Sequence, residues 1–263
     1  MEIRDTLVLV TGASRGIGLA TAEALHAEGA RLVLVARDTE ALHGAAARLG
    51  ATAIAADLTD PAALEGLIER AGPIDILVNN AGMDITKPLW EHSADELRRI
   101  MQLNLLTAME LTRQALPGMI ERHRGHIVNV SSLAGVVSLP GYASYGASKA
   151  GLTHFTSCLN ADLRGVRGVG VTVAEVGPVR SALLDSVTSA DTIRRSYGRL
   201  YMTGMVRDLD PEDVARGIVR AVKRNKRAVW LPRTAALAPA VVELPRRVVG
   251  ALTAGIRHPT PRG

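Results

Sequence analysis

Leu7-Val-Leu-Val-Thr-Gly-Ala-Ser-Arg-Gly-Ile-Gly18 is the stretch on which the fold of this chain turns. Leu7–Val10 has the length and uniform apolarity of a short buried strand. Behind it Gly12, Gly16 and Gly18 fall in a turn, and a helical pattern then runs to about Ala27 and stops at Glu28-Gly29. Glycines in a strand-to-helix turn permit a tight bend and let backbone amides approach a pyrophosphate, and the helix N-terminus adds favourable partial charge. Purely structural turns use glycine as well. Here the pattern follows a strand, opens a helix and lies at the start of the chain, so it reads as a nucleotide site built from Gly12, Ser14, Arg15, Gly16, Ile17 and Gly18.

Outward from that turn, strands and helices alternate. Arg31–Val35 is a second apolar strand, Thr39–Leu49 a helix and Ala51–Ala56 a third strand. Pro61 opens a helix at a position that favours proline. Ile74–Val78 is the fourth strand, and a long helix covers about Ala94–Met119, tightened at Pro117. His126–Val130, Val171–Val176 and Ala228–Leu231 supply three further strands, with helices at Tyr145–Leu163 and Pro211–Lys223. Strands apolar throughout and separated by helices predict a parallel sheet covered on both faces. The expected fold is therefore α/β: a doubly wound (Rossmann) sheet of about seven strands in a single domain spanning residues 1–232. Residues 233–263 are expected to form an extension packed on that domain or on a neighbouring subunit.

Composition narrows the function. A chain of 263 residues, 47% hydrophobic and 22% charged, is ordinary for a globular protein with a substantial core. Its one cysteine, Cys158, allows no intrachain disulfide, and the charged N-terminus runs straight into the first strand; both favour a cytoplasmic location. No apolar run approaches the roughly 18 residues that would span a bilayer. The net charge of +5 is uneven, at −3 over residues 1–184 and +8 over residues 185–263. Only 3% of residues are aromatic, which argues against nucleic-acid binding through a basic, stacking surface. Seven scattered histidines lack metal-ligand spacing, so no metal is expected.

Two arginines speak to the nucleotide. Arg15 sits at a helix N-terminus, where an unpaired cation is disfavoured by about 0.3–1 kcal/mol unless an anion lies nearby. Arg37 follows the second strand, where an NAD enzyme would carry an acid for the ribose hydroxyl and this chain has Ala36. Two guanidiniums converging on a 2′-phosphate account for both, which predicts NADP(H) in preference to NAD(H). Each is otherwise a solvated surface arginine.

Tyr145-Gly-Ala-Ser-Lys149 begins a helix, so its tyrosine and lysine share one face. Free tyrosine titrates near 10, and only ~0.1% would be phenolate at neutral pH. A neighbouring ammonium stabilises the phenolate; bringing it near the working pH corresponds to roughly 3–4 kcal/mol. Lysine is rare here, Lys87, Lys149, Lys223 and Lys226 being four among 31 basic residues, so a lysine at this place is informative. Alone, the pair would be an ordinary helix-surface contact.

Together with the glycine turn, Asn79-Asn-Ala-Gly82, Asn104 and Ser132 thirteen residues before Tyr145, however, it resembles the classical short-chain dehydrogenase/reductase family over about residues 5–232. That resemblance implies a hydride-transferring oxidoreductase interconverting a carbonyl and an alcohol. It implies that Ser132 polarises the substrate carbonyl, Tyr145 gives or takes the proton, Lys149 holds the nicotinamide ribose and lowers the tyrosine pKa, and Asn104 anchors a water in the proton relay. It further implies cofactor contacts at Asp57, Leu58, Asn79, Ala81, Gly82, Val179 and Ser181. Spacing makes Ser131 structural. The family's usual proline after the sixth strand is replaced by Val176, which loosens the backbone constraint expected near the nicotinamide.

Residues 182–210 fall where the family carries a substrate lid, and Leu183, Leu184, Val187, Tyr197, Leu200, Tyr201, Met202 and Met205 are equally suited to an apolar pocket or to core packing. The expected partners are a small-molecule substrate, a small or apolar ketone, secondary alcohol or 3-oxoacyl thioester, and further copies of the chain in a homodimer or homotetramer. The apolar and basic tail around Arg246-Arg247 is suited to a membrane surface, but packing against protein is the stronger expectation. A nucleotide-sensing protein without catalysis would be expected to lack Ser132, Tyr145 or Lys149, and all three are present.

Overall fold

Parallel pairing of strands is what the uniformly apolar segments require, and the computed structural model of the chain has it; the structure describes residues 1–37, 40–180, 191–202, 207–232 and 234–235. Its strands are β1 (Leu7–Thr11), β2 (Arg31–Ala36), β3 (Thr52–Ala55), β4 (Ile76–Asn79), β5 (Gly125–Ser132), β6 (Val169–Val176) and β7 (Ala228–Leu231). Among the described residues they form one sheet in the order β3-β2-β1-β4-β5-β6-β7. Leu9 pairs with Val33 of β2 on one side and Leu77 of β4 on the other. The order reverses between β1 and β4, so the loops leaving those two strands diverge and open a crevice at their carboxyl ends, where such sheets bind ligands.

The helices are α1 (Gly16–Ala27), α2 (Glu40–Leu49), α3 (Leu67–Ala71), α4 (Ala94–Met101), α5 (Thr107–Glu121), α6 (Ala143–Asp162), α7 (Asp191–Met202) and α8 (Pro211–Lys223). Val8 and Val10 face one side of the sheet with Leu25 of α1, Leu42 of α2 and Ile218 of α8. Leu9, one residue out of phase, faces the other with Leu67 of α3, Leu111 and Met119 of α5 and Leu159 of α6. Period-2 alternation thus serves two cores rather than a core and solvent. Each fully buried leucine here contributes about 1.5–3 kcal/mol.

Two helices differ from the sequence expectation. Pro61 opens only a short 3-10 turn, Pro61–Leu64, because Gly66 adopts a left-handed conformation (φ 60°) before α3 begins. The helix expected over 94–119 is three pieces: α4 opens with a capping box of Ser93 and Glu96, a π turn covers Gln102–Leu106, and α5 continues through Pro117. Strand β5 runs two residues past Val130 because Ser131 and Ser132 pair with Glu175 and Val176. No helix among the described residues is long and apolar enough to cross a membrane.

Candidate active site

The loop after β1 is folded back on itself and held from β4. Thr11 Oγ1 donates to the Val78 carbonyl at 3.2 Å and accepts from the amides of Asn80 and Ala81, each at 3.0 Å. Asn80 Nδ2 donates to the carbonyls of Thr11 (3.0 Å) and Gly12 (3.3 Å), and the Gly12 amide reaches Val35 O at 2.8 Å. Gly12 and Gly16 have φ of 66° and 58°, which a side chain would strain. Gly18 is required for space: a first side-chain carbon there would lie 2.2 Å from Gly12 O. The result is a tight cradle of backbone at the start of α1, where no side chain caps the helix and Arg15 is exposed. Ser14 and Ile17 lie half-buried in the same loop.

At the carboxyl ends of β2 and β3, Ala56 N donates to Ala36 O at 2.8 Å and brings Arg37 and Asp57 close together. The Thr59 amide and hydroxyl, at 3.0 and 2.8 Å, hold the Asp57 carboxyl below its usual range, with help from the positive charges of Arg37 and Arg99. Leu58 is buried, and its carbonyl accepts from the Thr107 hydroxyl.

The Asn79 side chain points into the interior, where Nδ2 donates to Asn129 Oδ1 (2.8 Å) and Thr112 Oγ1 (3.3 Å), so it braces β4 against β5 and α5 and leaves the residue's backbone to face the crevice end of the strand. Asn80, which the sequence reading passed over, holds the cradle instead. Ala81 and Gly82 do lie at the mouth of the crevice: a side chain on Gly82 would come within 3.2 Å of Asn104 Oδ1 and 3.5 Å of Lys149 Nζ.

Ser132 ends β5, with its Oγ accepting from the Ala134 amide at 3.1 Å. The loop it opens is pressed onto α6 at two glycines. A carbon on Gly135 would sit 2.8 Å from Ala150 N, and one on Gly146 would sit 2.9 Å from Ala134 O. That approach places the Ser132 turn beside the α6 turns carrying Tyr145 and Lys149. The Tyr145 ring meets Tyr142 edge-on at 5.5 Å between centroids, and Lys149 Nζ lies 5.8 Å from its centre. Lys149 is buried, donates to Val130 O at 3.0 Å, and burial pulls its pKa down to about 8 against the upward pull of Glu175 and Asp84. It is still an ammonium at neutral pH, which favours phenolate on its neighbour. Burial lifts the carboxyl of Asp84, on the loop after β4, to about 6.

Asn104 sits in the π turn, a feature common at functional sites. Its Oδ1 accepts from Met83 N (2.8 Å) and its Nδ2 donates to Met83 O (2.9 Å) and Ser148 Oγ (3.0 Å). Both amide hydrogens are used, so the side chain clamps the loop after β4 to α6 and retains only a second Oδ1 lone pair for a water. Ser148 Oγ donates in turn to Tyr145 O at 2.7 Å. Ser131 Oγ bonds Lys149 O, the structural place its spacing implied.

Val176, in the place of the usual proline, is the last residue of β6 and pairs with Ser132 and Leu231. Val179 is buried and bridges to Leu209. Ser181 lies outside the described residues, as do Leu183, Leu184, Val187, Met205 and the tail from 236 onward. Of the expected lid, helix α7 is described; Met202 on it is 81% exposed, and the Tyr201 hydroxyl donates to Asp208. Among the described residues no group of three His, Cys, Asp or Glu is placed to hold a metal.

Residues 6–192 match the family model described as short chain dehydrogenase. The chain belongs to the short-chain dehydrogenase family. Its relatives include dehydrogenase/reductase SDR family member 7B of Bos taurus, 34% identical over 87% of this chain and 74% of that protein. The ketoacyl reductase HetN of a Nostoc strain is 38% identical over 83% of this chain and 75% of its own. A solved short-chain dehydrogenase from Sphingobium yanoikuyae, in complex with NADPH, superposes with a TM-score of 0.79 at 27% identity over 98% of both chains. Short-chain dehydrogenases are oxidoreductases that bind a nicotinamide cofactor, and the backbone cradle of Gly12–Gly18, too tight for a side chain at Gly18, suits the pyrophosphate of one.

Proposed function

We propose that the chain is an NADP(H)-dependent reductase or dehydrogenase that interconverts a ketone and a secondary alcohol, with Tyr145 as general acid and base. The observation that carries this reading is the buried Lys149 ammonium against the Tyr145 ring, beside the Ser132 turn. When bound, the nicotinamide supplies or removes the hydride. Ser132 donates a hydrogen bond to the substrate oxygen, and Tyr145 delivers its proton to that oxygen in reduction and takes it back in oxidation. Lys149 lowers the cost of leaving Tyr145 as phenolate by about 1.4 kcal/mol for each tenfold change in acidity. Asn104 keeps the loop after β4 and α6 in register around the reacting atoms.

Preference for NADP(H) is supported by Arg37 at the end of β2, next to Ala36 in the place where an acid would bond a ribose hydroxyl, and by the exposed Arg15 in the cradle. The substrate class is a small or apolar ketone, its alcohol, or a 3-oxoacyl thioester; the ketoacyl reductase among the relatives supports the last. A panel of these compounds, followed by NADPH absorbance and repeated with NADH, tests the reading. Turnover of at least one compound, faster with NADPH, is expected. No turnover of any, with tight NADPH binding, would sink it in favour of a nucleotide-binding role. We further propose a homodimer or homotetramer, which light scattering checks.

A further inference from the structure

Below the catalytic pair lies an acid that the reaction as derived leaves unused. Glu175, next to last in β6, is completely buried. Its Oε1 lies 2.7 Å from Thr153 Oγ1, which lies 2.8 Å from Ser131 Oγ, and Ser131 Oγ reaches the Lys149 carbonyl at 3.0 Å. Glu175 Oε2 is buried without a hydrogen-bond partner. Thr153 stands one turn beyond Lys149 on α6, itself one turn beyond Tyr145, so the chain of contacts runs along the face of the helix that carries the active pair.

Counting hydrogens decides the state of the acid. Three oxygen–oxygen contacts need three hydrogens, and the two hydroxyls supply two. The Lys149 carbonyl only accepts, so Ser131 donates to it and Thr153 donates to Ser131. With all three contacts bonded in that way, the remaining hydrogen, between Thr153 and Glu175, comes from the carboxyl; with Glu175 ionised, Thr153 Oγ1 donates to Oε1 instead and the Ser131–Thr153 contact loses its hydrogen. If Glu175 were ionised, one contact would set lone pair against lone pair and a buried carboxylate oxygen would keep no donor, an arrangement that burial penalises.

We propose that Glu175 is a positioning residue held protonated in the resting enzyme: its proton completes the chain Glu175–Thr153–Ser131–Lys149 carbonyl and fixes the α6 turn that presents Lys149 to Tyr145. The inference rests on Tyr145 and Lys149 being the acid–base pair. The environment agrees. Burial pushes the Glu175 carboxyl up to about 7, against the bond that the Thr153 hydroxyl donates to the ionised form and the charge of Lys149. Lys149 on α6 is the charged group that acts on Glu175, and Asp84 acts on Lys149 from the loop after β4. Loss of the Glu175 proton above neutrality therefore breaks the chain and places a negative charge near Lys149, which tightens that residue's hold on its own proton. The groups titrate together.

The test needs neither substrate nor cofactor for its first arm. Infrared difference spectra of the protein between acid and mildly alkaline pH are expected to show a protonated-carboxyl band that bleaches near neutrality and is missing in Glu175→Gln. In the second arm, Glu175→Ala and Thr153→Val are each expected to lower kcat by about tenfold with KM unchanged. Glu175→Gln, whose amide still donates to Thr153, is expected to rescue most of that loss and to remove one ionisation from the kcat pH profile. A band unchanged by Glu175→Gln, or a Glu175→Gln profile identical to that of the parent, overturns the proposal. Should Glu175→Ala fail to fold, Thr153→Val and the infrared band decide. An enzyme that shows the band and yet turns over no ketone leaves the protonated Glu175 standing and removes the proposed reaction instead.

Discussion

Replacing Gly18 by alanine separates space from backbone freedom in the nucleotide cradle. Gly18 is an ordinary helical residue without a positive φ, so alanine there should gain up to about 1 kcal/mol of helix propensity. The structure opposes that gain. The new carbon would lie 2.2 Å from Gly12 O, a backbone atom, and 2.5 Å from Asn80 Nδ2. Relief requires the β1 loop and α1 to part by nearly 1 Å, roughly the difference from a normal contact. Parting them breaks the two Asn80 bonds to Thr11 and Gly12, at about 0.5–1.5 kcal/mol each, and overpacking adds about 1–3 kcal/mol. The net loss is about 1–5 kcal/mol, readable as a lower urea midpoint at unchanged slope. A shift of that size in the cradle amides should weaken dinucleotide binding by about a hundredfold in calorimetric titration. Gly16→Ala is the control: nothing lies within 4 Å of its new carbon, and its φ of 58° costs about 1–2 kcal/mol of strain while leaving the space open. A Gly18→Ala protein as stable as the parent and binding dinucleotide equally well would refute the steric argument.

Three further outcomes follow from the site. Tyr145→Phe should cut turnover by about a thousandfold or more while cofactor affinity holds, and a phenylalanine enzyme with an unchanged pH–rate profile would contradict Tyr145 as the proton donor. Arg37→Ala should weaken NADPH binding by about ten- to a hundredfold and leave NADH nearly untouched, since only NADPH presents a 2′-phosphate; equal losses for both would make Arg37 structural. Stability should depend on pH through Glu175. A carboxyl raised from 4.5 to about 7 in the folded chain stabilises it most below pH 4.5 relative to Glu175→Gln, and that advantage should fall by about 3 kcal/mol as pH rises to about 7. Parallel urea titrations of the two proteins across that range check it, and a pH-independent difference would contradict the buried-acid reading.

What the chain's own order determined was whatever depends on neighbours close in sequence. Leu7–Val10 followed by glycines specifies strand, turn and helix within twelve residues, and Tyr145 and Lys149 share a face through helical spacing alone. Apolar strands alternating with helices imply a covered parallel sheet for the same local reason. The roles of individual polar side chains did not follow in that way. Asn79 and Asn80 are chemically identical neighbours, and only the phase of β4 in the sheet sends one into the core toward Asn129 and the other onto the cradle. A continuous helix was the natural reading of 94–119; the π turn at Gln102–Leu106 is tied in place by the bonds of Asn104 to Met83 and Ser148, which are 21 and 44 residues away. Glu175 reads as one polar residue in an apolar strand, and nothing local marks it as buried. Its raised pKa comes from burial under the helix packed across β6, which outweighs the opposing pull of Thr153 and Lys149, because desolvation is a property of the assembled layers and not of the strand that carries the carboxyl.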